Sequence, residues 1–211
     1  MVSIRNQTSR AELIDKLVSP YLPPEARIVD FGCGPGFLAK AASLHVREVI
    51  AYDISDGVLA CAEILNGAKN ISYRIAPQGP VAPEELQSVD LIYSFAVIQH
   101  VSDAVFLSIL KTCYDLLKPS GTIVFHIVVD DASWKSEVEW RADRSLYGRL
   151  KLNLGLHCFG RKLNDITNRF ENNGFSIKDS FVIGDRFTIK DKDLARQHLF
   201  IIQKPADTFS K

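Results

Sequence analysis

The chain has 211 residues, 46% of them hydrophobic and 24% charged. That usage excludes a disordered or fibrous protein, and the length suits one domain, residues 1–211, whose core needs no disulfide or metal staple. Twenty-five basic residues balance twenty-five acidic ones, which argues against bulk nucleic acid or an anionic membrane as the main partner.

The spacing of Ser9 and Glu12 is that of a capping box and predicts a helix over about residues 9–19, with Leu13 and Leu17 on one face. Pro20, Pro23 and Pro24 stop it. A strand at 27–31 then enters a glycine-rich turn, and a helix follows from about Gly36 to His45. The next strand, 48–53, leads to a helix that Asp56 can cap and that Asn66-Gly67 ends. A third strand, 70–75, runs into a loop with Pro77, Pro80 and Pro83. After a fourth strand, 89–95, Phe106, Ile109, Leu110, Cys113 and Leu117 recur at helical spacing. Lys118-Pro119-Ser120-Gly121 ends that helix and launches a fifth strand, 122–129. Residues 130–160 form a connection too long for an ordinary crossover, the usual sign of a lid or binding loop. A last helix shows Leu163, Ile166 and Phe170 on one face and closes at Asn173-Gly174. Strands at 175–183 and about 197–204 complete the chain, with no crossover helix between them, so the last one runs antiparallel.

This alternation predicts an α/β fold with a mostly parallel sheet. The four cysteines, Cys33, Cys61, Cys113 and Cys158, are too scattered for a CxxC pair and read as buried thiols in a reducing compartment. No secretory h-region and no bilayer-length apolar run is present, so the expected location is the cytoplasm.

The stretch Ile28-Val29-Asp30-Phe31-Gly32-Cys33-Gly34-Pro35-Gly36 carries the chemistry. Glycines at alternate positions let a ligand approach the backbone, and the helix that follows offers free N–H groups. Asp53, at the end of the second strand, suits a ribose diol. The dinucleotide fingerprint would need a third glycine at position 37, where Phe37 stands. The spacing here is DxGxGxG instead. It resembles the first motif of the class I S-adenosylmethionine (SAM) methyltransferases. Ser88 to His100 resembles that family's fourth-strand segment, and Leu116-Leu117-Lys118-Pro119-Ser120-Gly121 resembles its lead-in to strand five. The resemblance runs from about residue 28 to 204. It implies a Rossmann-like three-layer sandwich, with a seven-stranded sheet of order 3-2-1-4-5-7-6.

The resemblance also implies SAM as cofactor. Gly32, Cys33, Gly34 and Gly36 would meet its methionine moiety, Asp30 would help place its amino group, and Asp53 would bind its ribose. Ile54 would pack on the adenine, with Phe95 and Ala96 lending backbone at the methionine end. Many relatives carry an Asp after strand three. Ala76-Pro77-Gln78 stands there instead, leaving Gln78 as a neutral partner.

Methyl transfer needs the acceptor held in line about 3 Å from the methyl carbon, and a base where the acceptor carries a proton. His100 is the first candidate base, though it can equally just open the helix that Ser102 or Asp103 caps. Asp130 and Asp131, at the carboxyl edge of strand five, come second. His126, in mid-strand, reads as a satisfied core or edge histidine. Between Trp134 and Lys162, seven basic residues face three acidic ones. Trp134, Arg141, Arg144 and Arg149 are therefore candidate substrate-binding residues for a flat or anionic acceptor, or else part of a solvated face. No metal is expected, because no HxxxH pair or carboxylate cluster has ligand spacing. The leading expectation is transfer to an oxygen or nitrogen of a small molecule. An RNA or protein methyltransferase and a non-catalytic SAM-binding scaffold stay open.

Overall fold

A computed structural model describes residues 10–154, 157–189 and 192–206. Ser9, the expected first cap, lies outside them. Residues 10–13 are helical and continue as a π-helical stretch, Ile14–Val18, then a 3-10 turn, Ser19–Tyr21, that contains Pro20.

Seven strands follow: β1 (Arg27–Phe31), β2 (Glu48–Asp53), β3 (Ile71–Ile75), β4 (Val89–Ser94), β5 (Leu117–Ile127), β6 (Ser176–Val182) and β7 (His198–Gln203). They form one sheet of order β3-β2-β1-β4-β5-β7-β6, as the resemblance implied. Only β7 is reversed: it pairs antiparallel with β5 and β6, while the other pairs are parallel. Both sheet faces are covered, so the central strands are continuous apolar runs rather than alternating ones. Successive residues still point opposite ways. Val29, Ile92, Phe125 and Phe200 join one core, and Ile28, Leu91, Val124 and Leu199 the other.

Helices α1 (Phe37–Ala42) and α2 (Asp56–Asn66) cover the second face together with the N-terminal segment. Helix α3 (Asp103–Leu116) covers the first face, packing Phe106, Ile109 and Leu110 into its core. The connection after β5 holds two short helices, α4 (Glu137–Ala142) and α5 (Leu146–Asn153); α6 (Leu163–Asn172) then returns to the first face through Ile166 and Phe170.

Four local readings change. Ser55 rather than Asp56 caps α2, its hydroxyl accepting from the Val58 amide at 3.4 Å; Asp56 is the first helical residue. Helix α1 ends at Ala42, short of His45. Leu117 opens β5 instead of closing α3: it pairs with Val89, and the Lys118-Pro119-Ser120-Gly121 stretch is an irregularity within the strand, with Ser120 at φ 63°. Lys204 helps fix this boundary by donating to the carbonyls of Tyr114 and Leu117, both at 2.8 Å, which satisfies groups that a helix end leaves unpaired. Finally, two one-turn helices, α7 (Ile183–Arg186) and α8 (Lys192–Ala195), occupy the connection between β6 and β7.

Candidate active site

The glycine turn after β1 is held from two sides. Asp53, at the end of β2, accepts from the Gly34 amide at 3.0 Å and from the Ser55 amide at 3.1 Å, so one carboxylate ties the turn to the start of α2. From the other end of α2, the buried Asn66 side chain donates to the Pro35 carbonyl at 2.7 Å. Gly36 has φ 80°, and a Cβ there would lie 2.4 Å from the Tyr73 hydroxyl, so both backbone and space demand glycine. Gly34, at φ 51°, has open space where its Cβ would be, a backbone left bare toward solvent.

Asp30 lies beneath the turn, 1% exposed. Burial pushes its carboxyl up to about 7, with the neighbouring Tyr93 hydroxyl and Ala39 amide holding it back. Neither Asp30 Oδ2 nor the Tyr93 hydroxyl completes a hydrogen bond of standard geometry. A raised carboxyl means that the folded chain holds a proton that the unfolded chain has released above about pH 4, so stability falls as pH rises from about 4 to about 7. Asp30→Asn is expected to flatten this slope, read as urea midpoints at pH 4.5 and 8. An unchanged slope would assign it to other groups. The Cys33 thiol is pushed up by burial and then by Asp30 and Asp53, which fits a structural thiol rather than a reactive one.

A cavity of about 580 Å³ opens beside the turn at the carboxyl edge of the sheet. It brings together Gly32, Asp53, Ile54, Gln78 and Ala96 with His100. Ile54 is 80% exposed, an apolar side chain left uncovered at the cavity wall. Gln78 donates to the Ala76 carbonyl at 3.2 Å. Phe95 is buried, stacked on His126, and does not line the cavity. Val97, Val101, Val105, Ser108, Ile109 and Thr112 form the far wall, and nothing in their sequence pattern singled them out from core residues.

His100 sits on a 3-10 turn, Ile98–His100, just before Ser102 caps α3 through the Val105 amide. Its Nδ1 is 3.3 Å from the His157 carbonyl and 3.6 Å from the Cys158 sulfur. A carbonyl can only accept, so this contact places the proton on Nδ1 and leaves Nε2 as the basic nitrogen. Sequence reasoning missed what holds the turn. Arg161, 8% exposed, donates to the carbonyls of Ile98 at 2.7 Å and Val101 at 2.6 Å, and to Asp103 at 3.0 Å. The Phe159 amide adds a bond to the Gln99 carbonyl at 2.7 Å. Arg161 had counted only as one of seven basic residues in the connection.

Asp130 and Asp131 lie apart from the His100 cavity, lining two neighbouring cavities of about 650 and 620 Å³ that Trp134 also lines. Asp131 accepts from the Ser133 hydroxyl at 2.6 Å and amide at 2.9 Å, which holds its carboxyl below the usual range and makes it a poor base. Arg141, Arg144 and Arg149 are exposed and line none of these three cavities; Arg141 pairs with Glu137 at 2.6 Å. Among the described residues no cluster of three His, Cys, Asp or Glu could hold a metal ion, and no helix is long and apolar enough to cross a membrane.

A family model described as a methyltransferase domain matches residues 4–179. A ubiquinone biosynthesis O-methyltransferase of Xanthomonas campestris pv. campestris is 30% identical over 112 residues, 52% of this chain and 46% of that protein. The chain thus spans about half the length of the curated relatives it matches. A SAM-dependent methyltransferase of Mesorhizobium loti has the same fold, with TM-score 0.67 at 22% identity over 94% of this chain and 100% of the other. So does a TehB-like SAM-dependent methyltransferase of Corynebacterium glutamicum, with TM-score 0.63 at 18% identity over 93% and 87%. With the sheet order, the glycine turn and a family match over most of its length, the chain belongs to the class I SAM-dependent methyltransferases.

Proposed function

We propose that this chain transfers a methyl group to an oxygen or nitrogen of a small-molecule acceptor, with His100 as the base. The observation that carries this reading is the 580 Å³ cavity in which Gly32, Asp53, Ile54, Gln78 and Ala96 meet His100. The residues present fit SAM: a bare backbone at Gly34, an exposed apolar wall at Ile54, and the buried Asp30 carboxyl beneath the turn, whose Oδ2 completes no hydrogen bond. Gly34, Gly36, Cys33 and Asp30 would hold the methionine end, Phe95 and Ala96 would border it with backbone, and Asp53 would accept from the ribose hydroxyls. Ile54 and Gln78 would face the adenine. When bound, SAM supplies a methyl group on a sulfonium, whose departure needs no acid.

His100 would take the proton of a hydroxyl or ammonium acceptor on Nε2, its ring oriented by the His157 carbonyl. Oxygen is the favoured acceptor atom, because the curated relative is named an O-methyltransferase. Trp134, through the cavities it lines, is the lid residue nearest to a role with the acceptor; Arg141, Arg144 and Arg149, outside those cavities, read as a solvated face.

Calorimetric titration should show binding of SAM and S-adenosylhomocysteine and none of NAD or NADP. Asp53→Ala is expected to weaken SAM by about 1.5–3 kcal/mol, the scale of hydrogen bonds to a charged group. Incubation with methyl-labelled SAM and metabolite pools then identifies the acceptor. Tight NAD binding without SAM binding would end this reading. SAM binding with no transfer to metabolites, RNA or protein would favour a scaffold.

A further inference from the structure

We propose that His126, in the middle of β5, is a positioning residue of the cofactor cavity that acts through the amide of Ala96. The inference rests on the reading of that cavity as the SAM site. His126 is 1% exposed, with no ring surface of consequence open to a ligand. Its Nδ1 accepts from the Ala96 N–H at 3.0 Å. Its Nε2 meets the Gln197 side-chain oxygen, so the proton sits on Nε2 and Nδ1 is kept as an acceptor. Gln197 is itself anchored, its amide bonded to the Leu194 carbonyl at 3.0 Å and its carbonyl accepting from Ile183 at 2.9 Å. The Phe95 ring stacks on the imidazole at 5.7 Å and 6°, fixing the plane of the ring next to the residue it serves.

Ala96 needs such a hold.

 Ala96 has φ 60°, a left-handed backbone that alanine rarely adopts, and it lines the cavity directly after the end of β4. A strained turn keeps its shape only where its surroundings over-determine it. The His126 acceptor supplies that constraint, and it reaches the cavity wall from a strand that contributes none of the wall's own residues. A hydrophobic residue in its place would fill the same volume and leave the Ala96 amide without this partner.

The test uses the full chain with His126→Asn, His126→Gln and His126→Leu. The oxygen of an Asn side chain falls close to where Nδ1 lies, whereas Gln extends to the Nε2 position and Leu only fills space. Two readouts are taken: amide hydrogen exchange at Ala96 in the ligand-free chain, and calorimetric affinity for S-adenosylhomocysteine. The parent chain and His126→Asn are expected to protect Ala96 and to bind within about threefold of each other. His126→Gln and His126→Leu should exchange Ala96 about tenfold faster and bind about tenfold more weakly, a change of about 1.4 kcal/mol. Equal protection of Ala96 in all variants, or affinities that follow melting temperature rather than the Asn-against-Gln distinction, would overturn the proposal. Should the Leu variant fail to fold, the Asn and Gln pair still decides. If no variant and not even the parent chain binds S-adenosylhomocysteine, the cofactor reading fails, while exchange at Ala96 still decides the role of His126.

Discussion

Arg161→Met should make the folded chain easier to unfold by about 3 kcal/mol. The guanidinium is buried and bonds two backbone carbonyls, Ile98 and Val101, that bracket the His100 turn. Each buried group that loses its partner costs roughly 1–3 kcal/mol, and methionine replaces the side-chain volume without replacing a donor. Asp103 is not stranded by the change, because Arg169 still pairs with it at 2.7 Å, so the cost comes from the carbonyls. Arg161→Lys keeps the charge but not the planar fork that spans both carbonyls, and should recover only part of the loss. Urea unfolding of the three chains measures this. A loss below about 1 kcal/mol for methionine would mean that water replaces the guanidinium at both carbonyls.

The second large effect is on turnover. His100→Ala is expected to lower kcat by about 10²- to 10⁴-fold, the range that a positioned general base contributes. Affinity for SAM should change little, since the cofactor contacts proposed above come from residues other than His100. Added imidazole should restore part of the lost rate, because the cavity vacated by the side chain can admit a free base. A kcat within about threefold of the parent would remove His100 from the chemistry and leave it as the residue that opens α3. The same measurement on Arg161→Lys separates stability from positioning. A correctly folded chain with lower kcat and unchanged SAM affinity would show that the turn must be held as well as formed.

The glycine turn and Asp53 were legible because their signals are local and strict, whereas the sheet order came only through the family resemblance those signals carry. Left-handed backbone at Gly34 and Gly36 demands glycine, and the Asp53 carboxylate at the end of β2 reaches the turn in the observed register of β1 and β2. Boundaries were less legible where two neighbouring residues can do the same job. Ser55 and Asp56 are both good helix caps, and only the folded backbone chooses between them. Leu117 continued the helical phase of α3, yet its pairing with Val89 makes it the first strand residue.

Arg161 was illegible for a different reason. Its partners are backbone carbonyls about sixty residues away, and a carbonyl carries no side-chain signature. The basic excess of the lid drew attention to Arg141, Arg144 and Arg149, which project outward, whereas charge counting cannot tell an outward arginine from an inward one. The far wall of the cavity, including Val105, Ser108 and Thr112, reads in the sequence as an ordinary amphipathic helix. His126 was legible as a satisfied histidine, but its partners, one on β4's end and one before β7, appear only when the strands are placed side by side.

The brace on the His100 turn also sets an order in time. Every residue proposed to hold the cofactor lies at or before Ala96, while Arg161 and the His157 carbonyl come about sixty residues later. During synthesis the chain emerges from its N-terminus, so the glycine turn, Asp53 and Ala96 leave the ribosome well before Arg161 and His157. The glycine-turn side of the cavity is thus written first, and the braces on its wall, Arg161 behind the His100 turn and Gln197 behind His126, follow from the distal part of the chain.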